Sequence, residues 1–278
     1  MEGVLKIAVL LAGAYALVIA VIALSQTAML FPRWAVGAAP PLPADAVAES
    51  LDRPGGVILH GHLLPGGPSG ATPILGFGGN GWNAADVALL LHRIFPDHPV
   101  AAFHYRGYAP STGRPSARLL MEDALAIHDH LARRADWTAP PVVVGFSVGI
   151  GPAAHLVANR PVQGAILVTP FDSLGNLARA HYPWAPVRLL LRHEMTPAAD
   201  LTGTDVPVAL IIADRDEIVP GPRVEALRQA LAGNAPGIVF DRSLSAGHNA
   251  LYGHPDFVSS LRQAMSRITT DAAPPMRD

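Results

Sequence analysis

VVVGFSVGIG, residues 142–151, decides the fold. Three valines run straight into Ser147, which is fenced by Gly145 and Gly149. β-Branched residues favour strands, and an apolar run without polar alternation belongs to a strand buried on both faces. From Ser147 to Ala158 the spacing turns helical. A strand that breaks sharply into a helix holds one hydroxyl at the carboxyl end of a sheet, where open α/β sheets carry their chemistry. Side chains at 145 and 149 would collide with neighbouring backbone in so tight a turn. The same turn aims the Val148 amide, at a helix N-terminus, toward a developing oxyanion.

The pattern repeats along the chain. Apolar runs at VILHGHLL, PILGFG, PVAAFHY, PVVVGF, GAILVT, PVALIIA and GIVFDRSL alternate with helical stretches at 83–95, 117–134, 147–158, 224–231 and 256–267. Strand then helix, repeated, predicts an α/β fold: a mostly parallel central sheet with helices on both faces. Asn83, with Asp86 three residues on, predicts an N-cap. VILHGHLLPGGPSGATPIL predicts two short strands in an antiparallel hairpin at the start of the sheet.

A serine hydroxyl is a poor nucleophile without a base. In this turn the order is nucleophile, acid, histidine. ADRDEIVP follows the strand VPVALIIA and offers Asp214, Asp216 and Glu217. Asp216 is the preferred acid, because it lies three residues past the strand end, where a loop can bring it to an imidazole. Asp214, at the strand end itself, is expected to cap backbone amides instead. SAGHNAL supplies His248 between the last strand and the last helix, with His254 as the alternative base. A second oxyanion donor is expected from GFGGNGWN, residues 76–83, with the Asn80 amide as the candidate. His60 and His62 share a strand face and could ligate a metal, but no third ligand is in view, so a solvated face is preferred and no metal is expected. His128 and His130 do not share a helix face. No cofactor is expected either.

The chain has 278 residues, a formal net charge of −2 and no cysteine. Thiol catalysis, disulfides and cysteine–zinc sites are excluded. With a pI near 6.6 and no basic run, nucleic acid is not an expected partner. Between Lys6 and Arg33 there is no charged residue. A helix over residues 7–24 is about 27 Å long, close to the ~30 Å hydrocarbon core of a bilayer. A buried core helix would carry a polar face, and SQTAML is a poor cleavage site for a signal peptide. Residues 1–33 are therefore expected to be an uncleaved, single-pass transmembrane anchor, with Phe31 and Trp34 at the interface. The short, nearly uncharged leader favours a catalytic domain outside the cytoplasm. Residues 34–53 form an expected Pro/Ala-rich linker, 54–268 the catalytic domain, and 269–278 a disordered tail.

These motifs resemble those of the α/β-hydrolases. The chain is most similar to the membrane-anchored branch of BEM46-like and ABHD12/13/17-like serine hydrolases. MLFP, the VILHGHLLP strand, GFGGNGWN, FHYRGYAPSTGRPS, GFSVG, FDSLGNLARAHYPWAPVRLLL, ADRDEIVP and AGHNAL carry the likeness, and YRGYAPSTG is its most specific part. Two positions depart from the family pattern: Gly78-Gly79 replaces the usual His-Gly, and Ala213 replaces a glycine. The resemblance implies Ser147 as nucleophile, Asp216 as acid, His248 as base, and the amides of Asn80 and Val148 as the oxyanion hole. It also implies a small cap over the site at about 171–205. There two readings stand side by side. Trp184, Val187, Leu190 and Leu191 line an acyl pocket, or this is an ordinary packing helix with Arg188 and Arg192 outward. The implied reaction is hydrolysis of an ester or thioester, with lipid-type acyl substrates suggested by the anchor. Peptidase, general carboxylesterase and catalytically silent binding protein are the alternatives.

Overall fold

The computed structural model describes residues 1–67 and 71–271. Its first element, α1 (Glu2–Leu30), is apolar from Ile7 to Leu24 apart from the Tyr15 hydroxyl, and has no buried residue. Two antiparallel strands follow, β1 (Val47–Arg53) and β2 (Val57–Leu64). Then come β3 (Ile74–Phe77), α2 (Ala84–Ile94), β4 (Val100–Phe103), α3 (Ala117–Leu131), β5 (Val142–Phe146) and α4 (Ile150–Asn159). β6 (Gly164–Val168) leads into three short helices, α5 (Leu174–His181), α6 (Val187–Leu190) and α7 (Pro197–Leu201). β7 (Val208–Ala213), α8 (Gly221–Leu231), β8 (Ile238–Leu244) and α9 (Phe257–Asp271) complete the chain as described.

The eight strands form one sheet in the order β1-β2-β4-β3-β5-β6-β7-β8. From β4 through β8 all pairings are parallel, whereas β2 meets β1 and β4 antiparallel. Alternation along the strands builds two cores. Val143, Ala165, Leu167, Leu210 and Ile212 face α3, α4 and α8. Val142, Val144, Phe146, Ile166, Val168 and Ile211 face α2 and α9. That division explains the unbroken valine run, since both faces of β5 are covered. Asn83 caps α2 as expected, its side chain accepting the Ala85 amide at 2.9 Å.

The expected hairpin differs. Its partners are β1 and β2, joined through Gly55 and Gly56, both at positive φ. The stretch PIL belongs instead to β3, which lies between β4 and β5. The end of the expected linker is thus an edge strand, VAESLDR, half in contact with solvent. At the other end α9 runs through Asp271, so the expected tail begins within a helix. Residues 272–278 lie outside the described residues.

Candidate active site

Ser147 directly follows β5 at φ 50°, a left-handed backbone that a residue with a Cβ adopts only under strain. Gly149 explains what holds it there: a Cβ at 149 would fall 2.6 Å from the Gly78 carbonyl oxygen, and still closer to that of Phe77. Only a glycine lets the turn after Ser147 sit against the loop after β3. Gly145 is equally confined, with Ala153, Gly149 and Ile150 each 3.0 Å from the position of its missing Cβ. Ser147 is only part-buried, so its hydroxyl is reachable.

His248 Nε2 stands 3.0 Å from Ser147 Oγ. Its Nδ1 faces both oxygens of Asp216, at 2.9 and 2.8 Å. The Asp216 side chain is 4% exposed and that of His248 6%, so the pair is shielded from water. Asp216 Oδ1 also accepts the amides of Ile218 at 2.8 Å and Val219 at 2.7 Å, which fix the carboxylate in place. The imidazole is held in the orientation that lets Nε2 take a proton from Ser147.

The remaining acid candidates, Glu217 and Asp214, differ in what they do. Glu217 Oε2 accepts the His248 backbone amide at 3.0 Å. That hydrogen bond draws the Glu217 pKa below its ordinary value. Among the described residues Asp214 caps no amide, contrary to expectation. It is exposed, and Arg215 is its ionic neighbour at 3.8 Å. The turn after β7 places the next acid, Asp216, toward the histidine and leaves Asp214 in solvent. His254 serves its own turn, accepting the Asp256 amide at 3.1 Å.

The Val148 residue is buried beside Ser147. Asn80 is exposed, and its side-chain amide donates to the Met29 carbonyl at 3.3 Å, leaving its backbone amide as the expected donor. Gly79 lies against the Ser147 Cβ, 3.7 Å from where its own Cβ would stand. The Tyr105 hydroxyl donates to the Gly78 carbonyl at 2.7 Å and so pins this loop. Beneath it Trp82 stacks on Phe146 with ring centroids 5.3 Å apart and meets Tyr252 at 4.8 Å. One aromatic cluster therefore joins the Gly-rich loop, the residue before Ser147 and the segment after His248. Burial pushes the Tyr252 phenol up to about 12, so it stays neutral.

The sequence did not point to Tyr105 or Glu217 as supports. The only signal for Tyr105 was the YRGY run, whose other members also have structural work. Arg106 pairs with buried Asp123 at 2.6 Å, and Tyr108 is fully buried. His60 and His62 lie on β2, with the His104 ring 5.6 Å from that of His62. Burial and the neighbouring histidines lower the His104 pKa to about 4. His128 meets the Pro161 carbonyl and His130 meets Glu49, both at 3.0 Å.

The segment 171–205 forms α5, α6 and α7. A cavity of about 220 Å³ lies between this segment and the second half of α1. Val187, Leu190 and Leu191 line it. Trp184 does not: it is half exposed and stands edge-on to Tyr15. Arg192 is not directed away from the protein either, because its guanidinium donates to the Ala23 carbonyl at 2.6 Å.

No family model matches the chain. It is 31% identical over 241 residues to an uncharacterized protein of Mycobacterium tuberculosis, covering 84% of this chain and 82% of that one. WAV2 of Arabidopsis thaliana, an alpha/beta hydrolase domain-containing protein, is 28% identical over 69% of both chains. The lysophosphatidylserine lipase ABHD12 of Danio rerio is 25% identical over 66% of this chain and 55% of its own length. Among solved structures, an esterase of Pyrococcus furiosus superposes with a TM-score of 0.65 at 16% identity, over 83% of this chain and 97% of that one. An alpha-beta hydrolase from Vibrio vulnificus gives 0.64 at 21% identity, over 82% and 81%. With its sheet, its Gly-x-Ser-x-Gly turn and these relatives, the chain belongs to the α/β-hydrolases, as a distant homologue of ABHD12 and the BEM46-like WAV2.

Proposed function

We propose that this protein is a serine hydrolase that cleaves acyl esters or thioesters through an acyl-enzyme, held at a membrane by α1. The observation that carries the reading is the unbroken path Ser147 Oγ, His248 Nε2, His248 Nδ1, Asp216, with 3.0 Å at the first step and 2.8 Å at the last. Ser147 Oγ bonds to the acyl carbonyl carbon as its proton passes to His248 Nε2. The oxyanion rests on the amides of Val148 and Asn80. The leaving alkoxide or thiolate departs with the proton from Nε2. Water, activated by the same nitrogen, then frees the acid and regenerates Ser147. One oxyanion donor contributes about 3 to 4 kcal/mol to the transition state, so the Gly-rich loop matters as much as the triad.

A lipid-type ester is supported by the likeness to a lysophosphatidylserine lipase. The α1 helix adds a second reason, being long and apolar enough to cross a bilayer. The test is labelling by a fluorophosphonate. The full-length protein should label and Ser147→Ala should not. A folded wild-type protein that stays unlabelled overturns the hydrolase reading in favour of a binding module. A panel of esters, thioesters and aminoacyl amides then assigns the leaving group.

A further inference from the structure

The apolar helix does more than run to the membrane. From Tyr15 to Phe31 it lies along the cap segment and is hydrogen-bonded to it. The Tyr15 hydroxyl donates to the Trp184 carbonyl at 3.0 Å. Gln26 donates to the Leu190 carbonyl at 3.0 Å and accepts the Arg192 amide at 2.8 Å. Thr27 meets His193 Nε2 at 2.7 Å. Between these clasps lies the 220 Å³ cavity, with Ile19, Ile22 and Leu30 on one wall and Ala178, Val187 and Leu190 on the other.

Three observations say what fits there. Its polar side chains are spent: Gln26 and His193 are engaged in the clasps, and among the described residues the Tyr182 hydroxyl alone in the wall has no hydrogen-bond partner. A polar ligand would find little to replace its water. The cavity is also connected to the reacting centre by packing, since Leu30 and Leu174 from its walls pack against the cluster that holds Phe31 and Val148, the residue after Ser147. Finally, an α1 that spans a bilayer carries the cap to bilayer depth. Residues 7–24 are needed to cross the hydrocarbon, yet Trp184 touches Tyr15 within that stretch, and the exposed faces of Trp184 and Leu189 are apolar.

We propose that α1 is a fixed wall of the acyl pocket, and that the site takes a fatty acyl chain drawn from the bilayer with its ester end toward Ser147. The substrate class rests on the hydrolase reading above; the chain-binding site does not. Each methylene that enters the pocket is expected to raise kcat/KM by about fourfold until the pocket is full.

The test uses the full-length protein in detergent. Ile22→Trp and Ala178→Trp fill the cavity from opposite walls, and Leu24→Trp, on the exposed side of α1, is the control. The measured quantity is the kcat/KM ratio for p-nitrophenyl laurate over butyrate. The two filling variants should lower it by about tenfold or more, the loss of roughly two buried methylenes, and the control should leave it unchanged. A ratio that stays at the wild-type value in both filling variants overturns the proposal. Binding of the fluorescent fatty acid cis-parinaric acid to Ser147→Ala reads the pocket without catalysis. Saturable binding that is lost on adding Ile22→Trp supports the wall even if the esters are not cleaved, and absence of binding overturns it. Retention of the same laurate preference by esters embedded in phosphatidylcholine vesicles supports delivery from the bilayer. Activity confined to dispersed esters overturns that part.

Discussion

Asp216 accepts two backbone amides and faces one imidazole nitrogen, and this division of labour predicts what an amide would do in its place. In Asp216→Asn the new side-chain oxygen can keep the amides of Ile218 and Val219. Its NH2 then points at His248 Nδ1, which must become an acceptor. The proton moves to Nε2, facing Ser147 Oγ, and the base is lost while the loop is kept. We expect kcat on p-nitrophenyl butyrate to fall by about ten-thousandfold, the order found for the same exchange in serine proteases, with thermal stability little changed. An activity within tenfold of wild type would mean that Asp216 is not the orienting acid.

Charge pairs on α3 separate what burial does from what exposure does. Asp123 is buried and accepts from two arginines, Arg53 of β1 at 2.9 Å and Arg106 of the loop after β4 at 2.6 Å. Asp123→Ala leaves two guanidinium groups without a counter-charge, and we expect a loss of about 3 to 5 kcal/mol in urea unfolding. Asp129, lower on the same helix, forms a two-pronged pair with Arg160 beyond α4. That pair, first, and His128 hold the Asp129 carboxyl down at about 2, against an ordinary 3.8. A depressed carboxyl stabilises the fold above its unfolded value and stops doing so as pH falls through the folded one. The unfolding temperature of wild type should exceed that of Asp129→Asn above pH 3.8, and the gap should close as pH falls toward about 2. Because both partners are part-exposed, the difference should stay below about 1 kcal/mol. Elements built like α3 or β5 were legible because their periodicity is local. β1 was not, because VAESLDR alternates at a sheet edge and only the turn through Gly55 and Gly56 makes it a strand. The meeting of Ser147, His248 and Asp216 was legible for the opposite reason: each of these candidates follows a strand that announces itself. The clasp of Gln26 and Thr27 onto Leu190, Arg192 and His193 joins residues more than 160 apart, and no periodicity in either segment encodes it.

At the scale of the whole molecule, that clasp bears on whether α1 is kept. A signal peptide is cut in an accessible, extended stretch bearing small residues. Here residues 25–30 are helical, Thr27 is tied to His193, and Phe31 is 2% exposed under Tyr108 and Leu120. Cutting between Ser25 and Arg33 would strip Ile19 and Ile22 from the cap and uncover Leu190, Leu191 and Val187. At about 25 cal/mol per Å² of apolar surface, that exposure opposes release of the helix even where a peptidase could reach it. We therefore expect the protein purified from membranes to have an intact mass that includes α1. It should stay in the pellet after alkaline carbonate extraction, as a chain with a spanning helix does. A mature chain beginning between residues 25 and 33, with the catalytic domain free in the supernatant, would show that α1 is a removable leader and that the cap closes without it.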